Sequence, residues 1–314
     1  MRPTLTLALA ELLPYNSPYN NWMMAARPTH PAWPAVLLFA AALVLSARPG
    51  AAQQPPPAKN ARILLVPHKM VSGDRTTLAV LDFGGRLTPG VTVAFSNGDR
   101  VVTNATGRAT FVAPLTQGIL YATIEGRTGR VKTEIIAAAT SKAPTEVSSA
   151  PHFASLTDRF ELQGHGFCGD ADKNVVQING RPGLVLAASS ESLAVLPPTE
   201  LDPGPAEVSV SCNKGDAAWT RVAFLALSLE ADSSPLQPGQ KRTLAVRIAG
   251  TSERVGLEAH NLAPEVATLD AGNPARAISS GGAENTAVFP LTGKQHGNIL
   301  VSIRLLPGTV RTQP

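Results

Sequence analysis

The 314-residue chain is poor in the residue types that most often carry chemistry. Cysteine occurs twice, at Cys168 and Cys212, which excludes a disulfide-dense miniature scaffold and a thiolate-rich zinc site. Aromatics make up 5%, and Tyr121 and Trp219 are the only Tyr and Trp after Ala52. A sugar-stacking platform displays several such rings, so a strong glycan site is not expected. Charged residues are 16%. The pI of 9.3 overstates the basic character, because 24 basic and 22 acidic residues follow Ala52. No Lys/Arg run is present, and phosphate backbones need clustered cations, so nucleic-acid binding is not expected. No apolar run reaches the roughly 20 residues of a spanning helix.

Hydrophobic residues, at 44%, can fill cores, while 27 Pro and 26 Gly favour turns over long helices. The length allows two or three domains. Ala35–Ala47 (AVLLFAAALVLSA) is an apolar run of 13, preceded by Arg27 and His30 and followed by Gly50-Ala51-Ala52. That length suits a signal-peptide core, so residues 1–52 read as a leader cleaved after Ala52, with a short membrane anchor as the alternative. Met23 or Met24 as the start would give the leader an ordinary length. Residues 53–60 (from QQPPPAK) form a Pro-rich linker. An exported chain with two cysteines usually joins them, two buried thiols being the alternative.

From Arg62 short apolar runs alternate with turn signals. Ile63–Val66, Thr77–Leu81, Val91–Phe95, Arg100–Thr103, Arg108–Val112, Ile119–Ile124 and Val131–Ala137 are expected strands. Ser96–Asp99 and Asn104–Gly107 are expected hairpin turns, Gly107 supplying positive φ. Pro89–Val93 followed by Thr103-Asn104-Ala105-Thr106-Gly107-Arg108-Ala109 resembles the bacterial Ig-like domains of invasin and intimin type. This assigns residues 61–140 to a first sandwich.

Residues 141–228 form a second unit. Phe160–Phe167 turns through Gly164 and Gly166, Val175–Ile178 leads to a turn over Asn179–Pro182, Leu193–Leu196 follows, and Pro203-Gly204-Pro205 precedes Glu207–Cys212. The order is similar to IPT/TIG domains, with their G-x-G-F element and late P-x-G turn. The resemblance implies that Cys168 and Cys212 tie the end of an early strand to a late one.

Residues 229–314 offer Thr243–Ile248, Val255–Ala259, Val266–Leu269, Thr286–Leu291 and Ile299–Leu305 as strands of a third sandwich of no assigned family. Leu87-Thr88-Pro89-Gly90, Leu201-Asp202-Pro203-Gly204 and Leu236-Gln237-Pro238-Gly239 repeat one type II turn signal.

Nothing in the pattern marks a nucleophile or a metal. His68, His152, His165, His260 and His296 lie far apart, and His165 reads as a turn residue. Asp170–Asn174 lacks the glycine and glutamate of a calcium loop and reads as a polar loop. Ser279–Gly282 reads as a turn, and Asn104-Ala105-Thr106 as a hairpin rather than a glycosylation site. Trp219 reads as a core or interface residue, with exposure near a domain junction as the alternative.

The expectation is an all-β chain of three tandem Ig-like β-sandwiches behind a signal peptide. It has no catalytic, cofactor or metal residues and no transmembrane helix in the mature part. It is secreted, periplasmic or at the cell surface, and its partner is a protein or envelope component. The alternatives are an enzyme's accessory domains and a structural spacer.

Overall fold

The computed structural model describes residues 62–82, 84–138, 144–213, 215–230, 234 and 236–306, with backbone strands at Leu5–Leu7 and Arg311–Thr312. The expected leader, the Pro-rich linker and most of the Ala139–Pro144 spacer lie outside the described residues. Among them the chain is all strand and turn apart from one short 3-10 helix, in three successive cores.

Leu5–Leu7 (β1) comes first in the chain and pairs with the third unit. The first unit contains β2 (Arg62–Leu65), β3 (Lys69–Val71), β4 (Arg75–Asp82), β5 (Thr92–Phe95), β6 (Arg100–Val102), β7 (Arg108–Val112), β8 (Gly118–Ile124) and β9 (Arg130–Ile136). One sheet holds β2, β4 and β7, and the other has the order β3-β9-β8-β5-β6. Alternation explains the burial: Val93 and Phe95 on β5 and Leu120, Ala122 and Ile124 on β8 point inward. Phe95 and Phe111 meet with ring centroids 4.8 Å apart.

The second unit contains β10 (Glu146–Ala150), β11 (Phe153–Ser155), β12 (Phe160–His165), β13 (Asn174–Ile178), β14 (Arg181–Ala188), β15 (Ser192–Leu196), β16 (Gly204–Cys212) and β17 (Ala218–Glu230). Its core includes the fully buried Leu162, Leu193 and Phe224, and Phe160 packs edge-on against Phe224 at 5.3 Å. Burying each such side chain contributes roughly 1.5–3 kcal/mol.

The first two units split their opening strand in the same way. β2 pairs antiparallel with β4 while β3 pairs parallel with the last strand, β9. Likewise β10 pairs antiparallel with β12 while β11 pairs parallel with β17. A first strand shared between two sheets, with a parallel contact to the last, is an Ig-like arrangement.

β17 runs on from the second unit, its tail pairing with β18 (Lys241–Ala249) of the third. β19 (Gly256–Asn261), β20 (Ala267–Leu269), β21 (Ala275–Ile278), β22 (Thr286–Gly293) and β23 (Val301–Leu305) complete that unit, and β24 (Arg311–Thr312) pairs back onto β10. One sheet has the order β20-β22-β18-β17 and the other β21-β19-β23-β1. Phe289, Leu257, Leu291 and Ile303 centre its core.

Four expected features differ. The Asn179–Pro182 turn is tighter: Asn179 and Gly180 take φ of 49° and 76°, closing a two-residue hairpin, so Arg181 and Pro182 already belong to β14 opposite Ile178 and Gln177. Gly164 lies within β12 and is needed for space rather than φ, since a Cβ there would meet the Glu146 carbonyl oxygen at 1.9 Å. Gly166, with φ 73°, makes the bend. The Asp170–Asn174 loop contains the 3-10 helix, Ala171–Lys173, capped by the Asp170 side chain. Strands β1, β3, β10, β11, β14, β17, β21 and β24 were not among the expected ones.

Candidate interaction face

Two surfaces follow from this architecture: a buried junction between the first two units and an open sheet face on the second. The junction is a fourth apolar cluster. Leu65, Ala79 and Leu81, on the side of β2 and β4 away from their own core, pack with Leu186 and Ala187 of β14, backed by Ala194 and Leu196 of β15. Consequently β4 is buried on both faces, from Thr76 to Leu81.

The Cys168–Cys212 disulfide sits beside this junction, with an S–S length of 2.03 Å. It ties the segment after β12 to the end of β16. Asn174 braces the same segment, its side chain accepting from the Cys168 N–H (2.8 Å) and donating to the Cys168 carbonyl (2.7 Å). The loop so held reaches into the first unit. Thr77 Oγ1 donates to the Gly169 carbonyl at 2.8 Å and accepts from the Ala171 N–H at 3.2 Å. A Cβ on Gly169 would stand 1.6 Å from the Arg75 carbonyl oxygen, so only glycine permits this approach. Arg108 is buried across the junction, pairing with Asp172 at 2.8 Å and donating to the Val185 carbonyl at 2.7 Å. Ser189 donates to the Lys69 carbonyl and Ser190 to Asp74 Oδ2.

Charged groups nearby are perturbed by burial. Asp158 is buried beside Arg159, and desolvation pushes its carboxyl up to about 6 despite the Arg159 guanidinium and backbone N–H. Burial also raises Glu161, opposed chiefly by His68 of the first unit, and raises Glu191, opposed by His165 and Lys69.

The open face belongs to β14, β13, β16 and β17. Residues pointing away from the second core fall into register across the sheet. One row is Pro182, Gln177, Ser209 and Trp219, successive Cα partners on four strands. Neighbouring strands lie about 4.8 Å apart, so the row is about 14 Å long. Trp219 is 60% exposed, and Val175 and Leu184 beside the row are 42% and 46% exposed. Ser209, opposite Trp219, is buried. Along the face Arg221 and Glu207, also register partners, form an exposed ion pair at 3.0 Å. The Glu207 N–H donates to Asn179 Oδ1, fixing the hairpin at one end. The middle of the row is polar, at Gln177 and Ser209, with exposed apolar Val175, Leu184 and Trp219 around it and the Arg221–Glu207 pair alongside. Trp219 is therefore neither core nor buried interface, because its place in the alternation puts it on the outer face while Ala218 and Thr220 point inward.

The other sequence candidates are dispersed. His152 pairs with Glu253 at 3.1 Å, linking the second and third units, and its ring lies tilted against Phe153 with centroids 4.2 Å apart. His165 pairs with Glu146 at 3.2 Å. His260 lies opposite Ser302, and His296 is exposed in a loop. Among the described residues no three His, Cys, Asp or Glu side chains are placed to hold a metal ion. Gly107 takes φ 70° and Asn104 Oδ1 caps its turn. Gly90 and Gly239 of the repeated Pro-Gly signal have φ 69° and 75°, near the value a type II turn uses. Gly204, at φ 140°, is instead already the first residue of β16 and does not make the expected turn; Pro203 packs near Gly250. Ser279–Gly282 is an irregular loop between β21 and β22, with positive φ at both glycines. Tyr121 lies half-buried under Arg130, 4.5 Å from the ring centroid. A hollow of about 420 Å³ between Arg247–Ser252 and Gly282–Glu284 is shallow and open. Among the described residues no helix is long and apolar enough to cross a membrane.

The class is thus a tandem of Ig-like β-sandwiches. No protein family and no curated protein matches the chain. Among solved structures it is similar to the Bacteroides ovatus mixed-linkage glucan utilization locus protein SGBP-B in complex with a mixed-linkage heptasaccharide, at 12% identity and TM-score 0.30 over 76% of this chain and 73% of that one. It is also similar to Sidekick-1 immunoglobulin domains 1–4, at 11% identity and TM-score 0.24 over 76% of each chain. Invasin, a bacterial integrin-binding protein, aligns at 16% identity and TM-score 0.19 over 80% of this chain and 56% of that one. Likenesses at this level carry no argument about what the chain does.

Proposed function

We propose that this protein is an exported, non-catalytic interaction module of the cell surface or envelope, in which the sandwiches present the outer face of β14, β13, β16 and β17 to a protein partner. The observation that carries this reading is Trp219, an indole 60% exposed on an outer sheet face that also carries exposed Val175 and Leu184 and an Arg–Glu pair. Tryptophan and arginine are enriched among binding hot spots, and grouped exposed apolar residues with polar neighbours mark interaction surfaces. The invasin-type assignment of residues 61–140 and the IPT/TIG-type assignment of 141–228 belong to the same proposal, as do adhesion or envelope assembly as its role and export by the leader.

The exported chain is used as bait against envelope and secreted fractions at low and moderate salt. A partner held at moderate salt by the parent and lost, at least about tenfold, by Trp219→Ala supports the reading. Equal capture by both refutes the Trp219 face, and capture of nothing favours a structural spacer.

A further inference from the structure

The three units differ at one homologous place. In the first, the sheet runs β5-β8-β9, the last strand lying antiparallel outside the one before it. In the second the corresponding order is β13-β16-β17. In the third, β19 pairs with β23 in the same way. Among the described residues no later strand then pairs with β23, since β24 adds to β10 instead. The place is taken by β1, antiparallel, with Leu5 opposite Ile303, Thr6 opposite Ser302 and Leu7 opposite Val301. The edge thus receives a strand from a distant part of the chain, within the segment that reads as a removable leader.

A vacated edge here is a binding surface. β23 would present a row of backbone N–H and C=O groups beside a filled core, with Val301 and Ile303 buried behind it. Antiparallel partners share a face, so residues of an added strand opposite Val301 and Ile303 lie on the core side, and the one opposite Ser302 on the outer side. An apolar-polar-apolar sequence satisfies that pattern.

We infer that the outer edge of β23 is a strand-acceptor site. After leader removal, an extended segment of a second polypeptide, with apolar residues at alternate positions, adds antiparallel to Val301–Leu305 in the place of Leu5–Leu7. Main-chain hydrogen bonds supply the attachment and the alternate side chains the selectivity. The site is separate from the Trp219 face, and Trp219→Ala leaves it unchanged.

Amide hydrogen exchange tests it. Exported chain, shown by mass spectrometry to begin at Gln53, is measured alone and with a synthetic peptide of residues 3–11. The edge-facing amides of Val301–Leu305 are expected to exchange fast alone and about tenfold or more slower with peptide, the same peptide with Thr6→Pro giving no protection. In the uncleaved full chain Thr6→Pro speeds exchange at those amides without altering β19. Three results overturn the proposal: edge amides already protected in the exported chain, no protection by the peptide, or an exported chain that retains residues 5–7.

Discussion

At the scale of single residues, Asp158 gives the clearest pH signature. Its carboxyl is held at about 6 against an ordinary value of 3.8, chiefly by burial. Between those values the folded chain keeps a proton that the unfolded chain has released, so stability is greater below the window and falls as pH rises through it. The roughly two-unit shift corresponds to at most about 3 kcal/mol. Raised Glu161 and Glu191 act in the same direction. The melting temperature is expected to be higher at pH 5 than at pH 7.5, and Asp158→Asn, which keeps an acceptor for the Arg159 N–H, to flatten the difference. A profile rising toward pH 7.5 in the parent contradicts this. Gly169 gives a steric counterpart: Gly169→Ala forces a methyl against the Arg75 carbonyl oxygen. The expected loss is about 1–3 kcal/mol or more, read as a lowered denaturation midpoint. An unchanged midpoint would mean that the loop withdraws freely.

At the scale of elements, legibility depended on which faces a strand buries. β5 and β8 bury alternate residues, and in β5 the alternation is plain in the sequence. β4 and β14 are different, since Thr76–Leu81 and Val185–Ala188 are buried throughout. A run such as Leu-Ala-Val-Leu, read only as a strand, was also the signal of a second layer against it. The short strands β3 and β11 carry almost no periodicity and are fixed by parallel contacts with β9 and β17, which no local pattern encodes. The Asp170–Asn174 loop looked merely polar because its partners, Thr77 and Arg108, lie more than sixty residues away. The disulfide holds this element. On loop-closure entropy over its separation of 44 residues, it contributes about 4 kcal/mol. Reduction, or Cys168→Ser with Cys212→Ser, is expected to lower the midpoint and to increase proteolysis around Gly169. A variant that melts like the parent and resists protease equally would show that Asn174 alone holds the loop.

At the scale of the whole molecule, neighbouring cores make direct contacts. The first two share the Leu65–Ala187 cluster and the Arg108 contacts, and β17 passes from the second into the third, where Gly250 fits against the Phe224 carbonyl oxygen. Units joined this way are expected to unfold with shared transitions, so that Arg108→Ala lowers the midpoint reported from both the first and the second unit. The Trp219 face was not legible in advance, because a lone tryptophan reads first as core or interface and no strand was marked around it. Only its position in the β17 alternation, with Ala218 and Thr220 inward, puts it outside.

Trp219 is the only tryptophan after residue 52, so the fluorescence of the exported chain reports on the proposed contact face directly. The measurement is acrylamide quenching of that emission, alone and with the captured partner. The account predicts a water-exposed, readily quenched indole that becomes blue-shifted and protected when the partner is added. An indole already shielded in the free chain, or one equally quenched in the complex, would contradict it.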